Sequence, residues 1–467
     1  MGADDSGLEV TGGQGGVGAA LEDLSAASAR LVETAAETAE AAVAVLRVAT
    51  SPAVLLAALL RPVEGALLEA GLADLAGPRG LAGEAVALRA LASALRCCVL
   101  AYVAGERGVA QLVESVQDTA VWVVSRQLPW LATGALALEA AGVDVAGAAD
   151  HAAFIAPSLV DLAGGVEGAA AGPATPLDYE DALVLLARAA ATTGRLSEAG
   201  RAVLADPRRP TPGARAPTSV ADLVGAQLDL GAVSAGPSRV RIVQVPQPDG
   251  SSAWVAIIPG TQDWSPRAGT NPSDVTSDLL LMAGESTLLA AGVTQALEQA
   301  QAQAGRAGLG EPVLLAGHSQ GGIAAAALAA DPGFRRRHRV GAVVTSGAPI
   351  ARMALPPQVG VLALEHAQDP VPRLEGTPNP DRRSWVTVTR DVGADLTADP
   401  RASRAHDARL YLATARSVDQ SSSASVRAAR EGSARFLVGD ANGAAVVRDY
   451  SLRRVPATQA LVARSAG

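Results

Sequence analysis

Ser319 lies in the pentapeptide Gly-His-Ser-Gln-Gly, residues 317–321, a pattern in which a serine can serve as a nucleophile. The apolar run Val313–Ala316 comes before it, and the alanine-rich segment Gly321–Ala330 follows it. The first has the length of a buried strand and the second has the composition of a helix. We therefore predict a sharp strand-to-helix turn at Ser319, which would hold its hydroxyl above the edge of a sheet.

A serine hydroxyl needs a general base, and the base needs a carboxylate that orients it. Asp369, in Asp-Pro-Val-Pro, follows one predicted strand, and His406 follows the next. His406 is also the one histidine downstream of that acid. We predict Ser319, Asp369 and His406 as the catalytic residues. The alternative carboxylates lie farther along the chain: Asp391, Asp395 and Asp399.

Acyl transfer also needs hydrogen-bond donors for the negative charge that develops on the carbonyl oxygen of the substrate. The first predicted donor is the backbone N–H of Gln320, directly after the nucleophile. The second is expected in Pro-Gly-Thr-Gln-Asp-Trp, residues 259–264, which follows an early apolar strand. Thr261 and Gln262 are the two candidates in that loop.

The segments that must position these residues alternate between strand and helix after residue 236. Two short β-branched runs, 239–245 and 253–258, flank Pro-Gln-Pro-Asp-Gly and predict a hairpin. A predicted helix over 277–304 leads to the Ser319 region. Such alternation predicts an α/β fold with a mostly parallel sheet. The later predicted strands are 313–316, 340–345, 359–364 and 385–389.

The rest of the chain has a different character. Apolar residues recur three and four positions apart before residue 207, which predicts an all-α N-terminal domain. Prolines are frequent in 207–218 and predict a linker. Runs at 435–438 and 444–450 flank a glycine-containing turn and predict a final hairpin. The predicted division is a helical domain over 1–206, a linker over 207–235, an α/β catalytic domain over 236–420 and a C-terminal β-hairpin extension over 421–467.

Composition narrows the functional classes. The net charge is −9, and the strongest basic cluster is the short run 335–339, so we predict no nucleic-acid partner. The adjacent Cys97 and Cys98 suit buried thiols better than a disulfide. The N-terminus lacks the features of a cleaved signal, and no transmembrane helix is predicted. We therefore expect a cytoplasmic protein, or one that is exported without a cleaved signal peptide.

Taken together, Gly-His-Ser-Gln-Gly-Gly (317–322), Pro-Gly-Thr (259–261), Asp-Pro-Val-Pro (369–372) and His406 resemble the α/β-hydrolase superfamily, near its lipase and esterase branches. The resemblance covers about residues 236–420. It implies an α/β-hydrolase core and a serine hydrolase that cleaves a small-molecule or lipid ester. It further implies a covalent acyl-enzyme on the serine of the pentapeptide, with no metal and no organic cofactor. His406 would act first as base and then as acid.

The resemblance leaves other functions open. Thioesterase, acyltransferase and peptidase activities use the same residues, because a fold does not fix the acyl donor. A secreted or scaffolding interaction protein with an inactive hydrolase fold is the alternative from another class. Only a short loop, 346–358, occupies the place where such enzymes often carry a lid. The loop 263–276 or the N-terminal helices are therefore the candidates for a lid.

The N-terminal helices offer two further hypotheses about partners. Tyr102 and Glu106 are four residues apart on a predicted helix, which is similar to the export signal of type VII secretion substrates. That similarity implies the type VII secretion machinery as a partner, and an ordinary helical pair is the alternative. Residues 121–141 carry Trp122 and Trp130, which would suit a membrane surface, although we favour packing in a core.

Overall fold

The computed structural model describes residues 7–125, 144, 150, 153–154, 179–191, 198–205, 210–231, 236–265, 267–439 and 444–455. The chain forms two compact units. Residues 17–112 form one, and residues 1–16 together with 113–467 form the other. The expected N-terminal helical region is present. Its helices are α1 (Val17–Ala49), α2 (Pro52–Leu60), α3 (Pro62–Ala76) and α4 (Leu81–Ser125).

Small residues are buried at seven-residue intervals along α1 and along α4. Ser28, Ala35 and Ala42 are buried along α1, and Ala85 and Ala92 are buried along α4. A seven-residue spacing keeps side chains on one side of a helix, and small side chains allow two helices to approach closely. The Ser28 hydroxyl donates a hydrogen bond to the Ala92 carbonyl oxygen at 2.9 Å.

The same spacing corrects the prediction for the cysteines. Val99, the next residue at this spacing after Ala85 and Ala92, is half-buried, and Cys97 and Cys98 lie on the exposed side of the helix. Both are free and exposed rather than buried.

Much of the apolar surface of this unit faces outward. Leu59, Leu60, Val63 and Leu67 are each at least 70% exposed. By length and composition, the stretch 62–104 is apolar enough to cross a membrane. The prediction that the chain has no transmembrane helix stays a prediction, because one such stretch is weak evidence for a membrane span. The predicted export pair lies on α4, and most of segment 121–141 lies outside the described residues.

A nine-stranded sheet organises the described part of the second unit. The strands are β1 (Leu8–Gly12), β2 (Arg201–Ala205), β3 (Ser238–Pro246), β4 (Ser252–Ile258), β5 (Pro312–His318), β6 (Arg339–Ser346), β7 (Gly360–His366), β8 (Trp385–Arg390) and β9 (Val446–Val455). Their order in the sheet is β1-β8-β7-β6-β5-β4-β3-β9-β2. Strands β4 to β8 are parallel to one another, and the pairs β1/β8, β3/β4, β3/β9 and β2/β9 are antiparallel.

Helices cover both faces of this sheet. They are α5 (Tyr179–Ala191), α6 (Val220–Gly231), α7 (Val275–Met282), α8 (Leu288–Gln303), α9 (Gln320–Ala330), α10 (Pro332–Arg337), α11 (Ala402–Ala405), α12 (Ala408–Gln420) and α13 (Ala424–Ser433). Helices α8 and α9 pack on one face, and α6, α12 and α13 pack on the other. Every residue of β4 and β5 is buried, as expected for central strands that are covered on both sides.

The prediction of an α/β protein with parallel central strands is confirmed, with corrections at its edges. Two short strands, β1 and β2, lie inside the predicted helical domain 1–206. Strand β1 pairs with β8, and β2 pairs with β9. Each has five residues, too few for an alternating pattern to stand out beside long helical repeats.

The predicted linker 207–235 also contains ordered structure. Helix α6 occupies 220–231, and its apolar side chains at Val220, Leu223, Val224 and Leu230 are buried against the sheet. These positions have the three- and four-residue spacing of an amphipathic helix. The prolines lie before this helix and misled the prediction.

The predicted C-terminal hairpin was wrong. Residues 434–436 form a single helical turn, and β9 pairs with β3 and β2 instead of folding back on its own neighbour. Strand β3 offers a free edge, so β9 completes the sheet through pairs such as Val243 with Val447. The predicted helix 277–304 is two helices, α7 and α8.

A buried ionic cluster joins β9 to the segment before α7. Arg454 is 4% exposed, and its Nη1 lies 2.7 Å from Asp274 Oδ2. Its Nη2 lies 3.2 Å from Glu198 Oε1. Asp274 in turn caps α7 by accepting a hydrogen bond from the Ser277 N–H. The last strand is therefore tied by charge to the start of α7.

Replacement of Arg454 by methionine should destabilise this unit, because it leaves Asp274 and Glu198 buried without their cation. We expect the free energy of unfolding to fall by about 3 to 5 kcal/mol. Urea unfolding followed by tryptophan fluorescence measures it, since Trp254 and Trp385 are fully buried. The matched control is Arg453→Met, because Arg453 is the exposed neighbour. Equal stability of the two variants would contradict the assigned role of the cluster.

Candidate active site

Ser319 occupies a sharp turn between β5 and α9. Its backbone has φ 51° and ψ −123°, and it is the one non-glycine residue with positive φ in the described part of the chain. Its N–H donates to the Ser346 carbonyl oxygen of β6 at 2.9 Å. The predicted strand-to-helix turn is therefore present, with the serine at its apex.

Two glycines make this turn sterically possible. A Cβ atom on Gly317 would lie 2.0 Å from the carbonyl carbon of Gly321. A Cβ atom on Gly321 would lie 2.2 Å from the carbonyl oxygen of Ile258 at the end of β4. Both distances are far below van der Waals contact, so any other residue would push β5, α9 and β4 apart.

The structure brings the three predicted catalytic residues together in one hydrogen-bonded chain. Ser319 Oγ lies 2.9 Å from His406 Nε2, and His406 Nδ1 lies 2.7 Å from Asp369 Oδ2. An ionised carboxylate can only accept, so Nδ1 carries the imidazole proton and Nε2 is left to accept from the serine hydroxyl. This is the tautomer that a general base needs.

Asp369 is fully buried and yet held as an anion. Burial disfavours its charge, but the nearby His406, the hydrogen bonds from His406 and Tyr411, and the Val371 N–H outweigh burial. The pKa of Asp369 is therefore below its ordinary value. The Tyr411 hydroxyl donates to Oδ2 at 2.6 Å and the Val371 N–H donates to Oδ1 at 2.9 Å. These donors fix the carboxylate that orients His406.

The alternative carboxylates are bound elsewhere. Asp391 accepts from Gln368, and Asp395 pairs with Arg390. Asp399 accepts hydrogen bonds from Arg401 and Arg404, which lower its pKa to about 2.

Two backbone N–H groups remain as candidate oxyanion donors. Gln320 is the first residue of α9, so its N–H has no partner within the helix. Gly260 brings the loop after β4 close to the nucleophile, since a Cβ atom there would lie 3.3 Å from Ser319 Cβ. Thr261 follows directly. The Gln262 N–H donates to the Ser273 carbonyl oxygen at 3.0 Å, which rules Gln262 out as a free donor and corrects that candidate.

The side chain of Gln320 fastens the residue after the nucleophile to the start of α7. Its Oε1 accepts from the Ser273 hydroxyl at 2.6 Å, and its Nε2 donates to the Asp274 carbonyl oxygen at 2.6 Å. The Ser273 hydroxyl also lies 3.2 Å from the Gly260 carbonyl oxygen. The loop that follows β4 is thus hydrogen-bonded to the strand-to-helix turn at Ser319. The sequence suggested part of this loop, 263–276, as a candidate lid.

The sequence missed a buried aromatic and imidazole cluster behind His406. The ring of His366 stacks on Tyr411 with centroids 3.8 Å apart. His366 Nδ1 donates to the Ala405 carbonyl oxygen at 2.6 Å, and Nε2 accepts from the Thr414 hydroxyl at 2.8 Å. Burial lowers the pKa of His366 to about 4, so its ring is neutral and fixes the chain directly before His406.

His318 also touches the base. Its ring centroid lies 4.9 Å from that of His406, and its Nε2 lies 3.2 Å from the His406 carbonyl oxygen. Burial lowers the pKa of His318 to about 3, so it adds no charge beside the base. No pattern in the sequence marks His318, His366 or Tyr411 as neighbours, because the contacts join distant parts of the chain.

This arrangement can perform nucleophilic acyl transfer. It holds a serine hydroxyl at an imidazole nitrogen and places an anionic carboxylate behind the imidazole. The backbone N–H groups of Gln320 and Thr261 are the candidate donors for an oxyanion. Within the described residues, no group of three or more His, Cys, Asp or Glu side chains could hold a metal ion.

Replacement of Ser319 by glycine should make the protein more stable than replacement by alanine. Both variants lose the hydroxyl, but only glycine adopts positive φ without strain, a difference of about 1 to 2 kcal/mol. Chemical unfolding of the two variants measures it. The control pair is Ser286→Gly and Ser286→Ala at an exposed residue without positive φ, where glycine should not be favoured. Equal stability of the two Ser319 variants would contradict a strained turn.

Comparison with known proteins found no relative of this chain. No family model, no curated protein and no solved structure matches the chain. The geometry of Ser319, His406 and Asp369 is therefore the basis for assigning a function.

Proposed function

We propose that this protein is a serine hydrolase of the α/β-hydrolase superfamily that cleaves carboxylic esters through an acyl-Ser319 intermediate. The observation that carries the proposal is the continuous hydrogen-bonded chain from Ser319 Oγ through His406 to Asp369. A serine becomes a useful nucleophile only when a base removes its proton, and each atom needed for that transfer is within hydrogen-bonding distance.

The order and placement of the elements support the superfamily. Ser319 follows β5, Asp369 follows β7, and His406 lies after β8, so the residues enter in the order that this superfamily uses. Parallel strands carry all three at the same edge of the sheet.

In the proposed reaction, Ser319 Oγ attacks the ester carbonyl carbon while His406 Nε2 takes the hydroxyl proton. The carbonyl oxygen becomes an oxyanion, which accepts hydrogen bonds from the N–H groups of Gln320 and Thr261. His406 then gives its proton to the departing alcohol, and the acyl group stays on Ser319. Water repeats the sequence, with His406 again first a base and then an acid, and the carboxylic acid leaves.

An inactive scaffold is the competing hypothesis, and the state of the site argues against it. Backbone strain at Ser319 lowers the stability of the protein by about 1 to 3 kcal/mol. A protein that had lost the activity would gain nothing by keeping this strain. The buried Asp369 carboxylate also retains the negative charge that orients His406. The partner in this proposal is an ester substrate, and export by type VII secretion stays a prediction from the sequence.

The native protein should react with a fluorophosphonate probe, which forms a covalent bond only with an activated serine. Ser319→Ala should abolish labelling, because the attacking oxygen is gone. His406→Ala should slow labelling at least about 100-fold, because the base is gone. In-gel fluorescence and the rate of labelling measure both effects.

Ser286→Ala is the matched control, because Ser286 is exposed and lies outside the site. It should label like the native protein. Failure of the folded native protein to label, or persistent labelling of Ser319→Ala, would reject the proposed function.

A further inference from the structure

One carboxyl group outside the catalytic chain lies beside both halves of the proposed oxyanion hole. Asp278 lies on α7, and its Oδ2 accepts a hydrogen bond from the Thr261 hydroxyl at 3.0 Å. The side chain of Gln320 is also close enough to this carboxyl to lower its pKa. Thr261 and Gln320 are the two residues whose backbone N–H groups face the oxyanion in the proposed reaction. Neither the sequence nor the mechanism above gives Asp278 a role.

We propose that Asp278 is a positioning residue of the oxyanion hole that supports the reaction in its protonated, uncharged form. This inference rests on the proposed function, because it concerns the rate at which Ser319 forms its tetrahedral intermediate. Asp278 acts through Thr261 and Gln320 and is not itself a reacting group.

The protonated form of Asp278 supports the reaction because it carries no negative charge. The oxyanion hole stabilises negative charge that develops on the substrate, and an ionised carboxylate beside it would oppose that charge. A neutral carboxylic acid keeps an oxygen that accepts from the Thr261 hydroxyl, so the loop stays in place without the repulsion. Asp278 therefore has two opposing properties. Its hydrogen bonding holds the oxyanion hole in place, and its negative charge would destabilise the oxyanion.

The surroundings of Asp278 favour the neutral acid at moderate pH. Burial raises its pKa to about 7, against the hydrogen bonds from Thr261 and Gln320, which lower it. Of the charged groups that face it, Asp274 raises the pKa and His406 lowers it. The charge of Asp274 is itself offset by Arg454 at 2.7 Å.

The other elements packed on α7 carry several charged residues. Helix α9 carries no charged residue between Gln320 and Ala330. Helix α5 meets α7 through the apolar contacts of Tyr179 and Leu183, and it carries Glu180, Asp181 and Arg188. Glu198 accepts a hydrogen bond from the Ser277 hydroxyl of α7 at 3.3 Å. The titration of Asp278 is governed mainly by its burial and by Asp274, His406, Thr261 and Gln320.

The pKa of Asp278 determines how the reaction rate should change with pH. Asp278 is protonated below its pKa and ionises as the pH rises through about 7. The rate of reaction at Ser319 should therefore fall as the pH rises through that value. A role of Asp278 as a mere structural support would produce no such fall.

The test is the second-order rate constant of fluorophosphonate labelling, measured from about pH 6 to pH 9 for full-length protein variants. The native rate should decline above about pH 7. Asp278→Asn imitates the protonated acid and cannot ionise, so it should lose the decline. At the alkaline end it should label on the order of tenfold faster than the native protein. The matched control Glu285→Gln, which removes an exposed charge just beyond α7, should keep the native profile.

Thr261→Val provides a second, independent variant. It keeps the backbone N–H of residue 261 but removes the hydrogen bond that lowers the pKa of Asp278. The decline should therefore move to higher pH.

A native profile without the decline, or an Asp278→Asn variant that retains it or loses activity equally at every pH, would overturn the inference. Those outcomes leave the proposed function intact, because labelling still depends on Ser319. Absence of Ser319-dependent labelling at every pH would instead reject the proposed function itself.

Discussion

The close approach of β5 and α9 at Ser319 is the constraint on which the rest of the site depends. It leaves no room for a side chain at residues 317 and 321, and it forces the serine between them to positive φ. The same turn places the hydroxyl at the carboxyl edge of the sheet and puts the Gln320 N–H at the start of a helix, where it has no intrahelical partner. One backbone conformation thus supplies both the nucleophile and a donor for the oxyanion.

The neighbouring strands turn this local feature into a site. Strands β6, β7 and β8 continue the parallel sheet away from Ser319, so the loops that follow them reach the same edge. Asp369 is held by three hydrogen bonds in a buried position, and His366 and Tyr411 fix the chain around His406. The base is oriented by buried groups whose own hydrogen bonds are satisfied, which is the condition for a site that keeps its geometry.

The parts that the sequence could predict are those encoded by neighbouring residues. The strand, turn and helix around Ser319 follow from a few consecutive positions, and the chain order of acid and base then selects Asp369 and His406. The edge strands β1 and β2 were missed, and β9 was paired with the wrong segment, because their pairing partners lie far away in the sequence. Tyr411 and Asp278 were missed for the same reason, and the bond from the Gln262 N–H to Ser273 could not be read from residue types.

The central claim is that Ser319 carries the acyl group of an ester between the two halves of a reaction. Mass spectrometry of the protein after brief incubation with an activated ester and quenching in acid tests this most directly, because acid preserves an acyl-serine. The account predicts one acyl group, located by peptide mapping on Ser319, and its disappearance when water is given time to react. An acyl group on another residue, or no covalent adduct while ester is consumed, would contradict it.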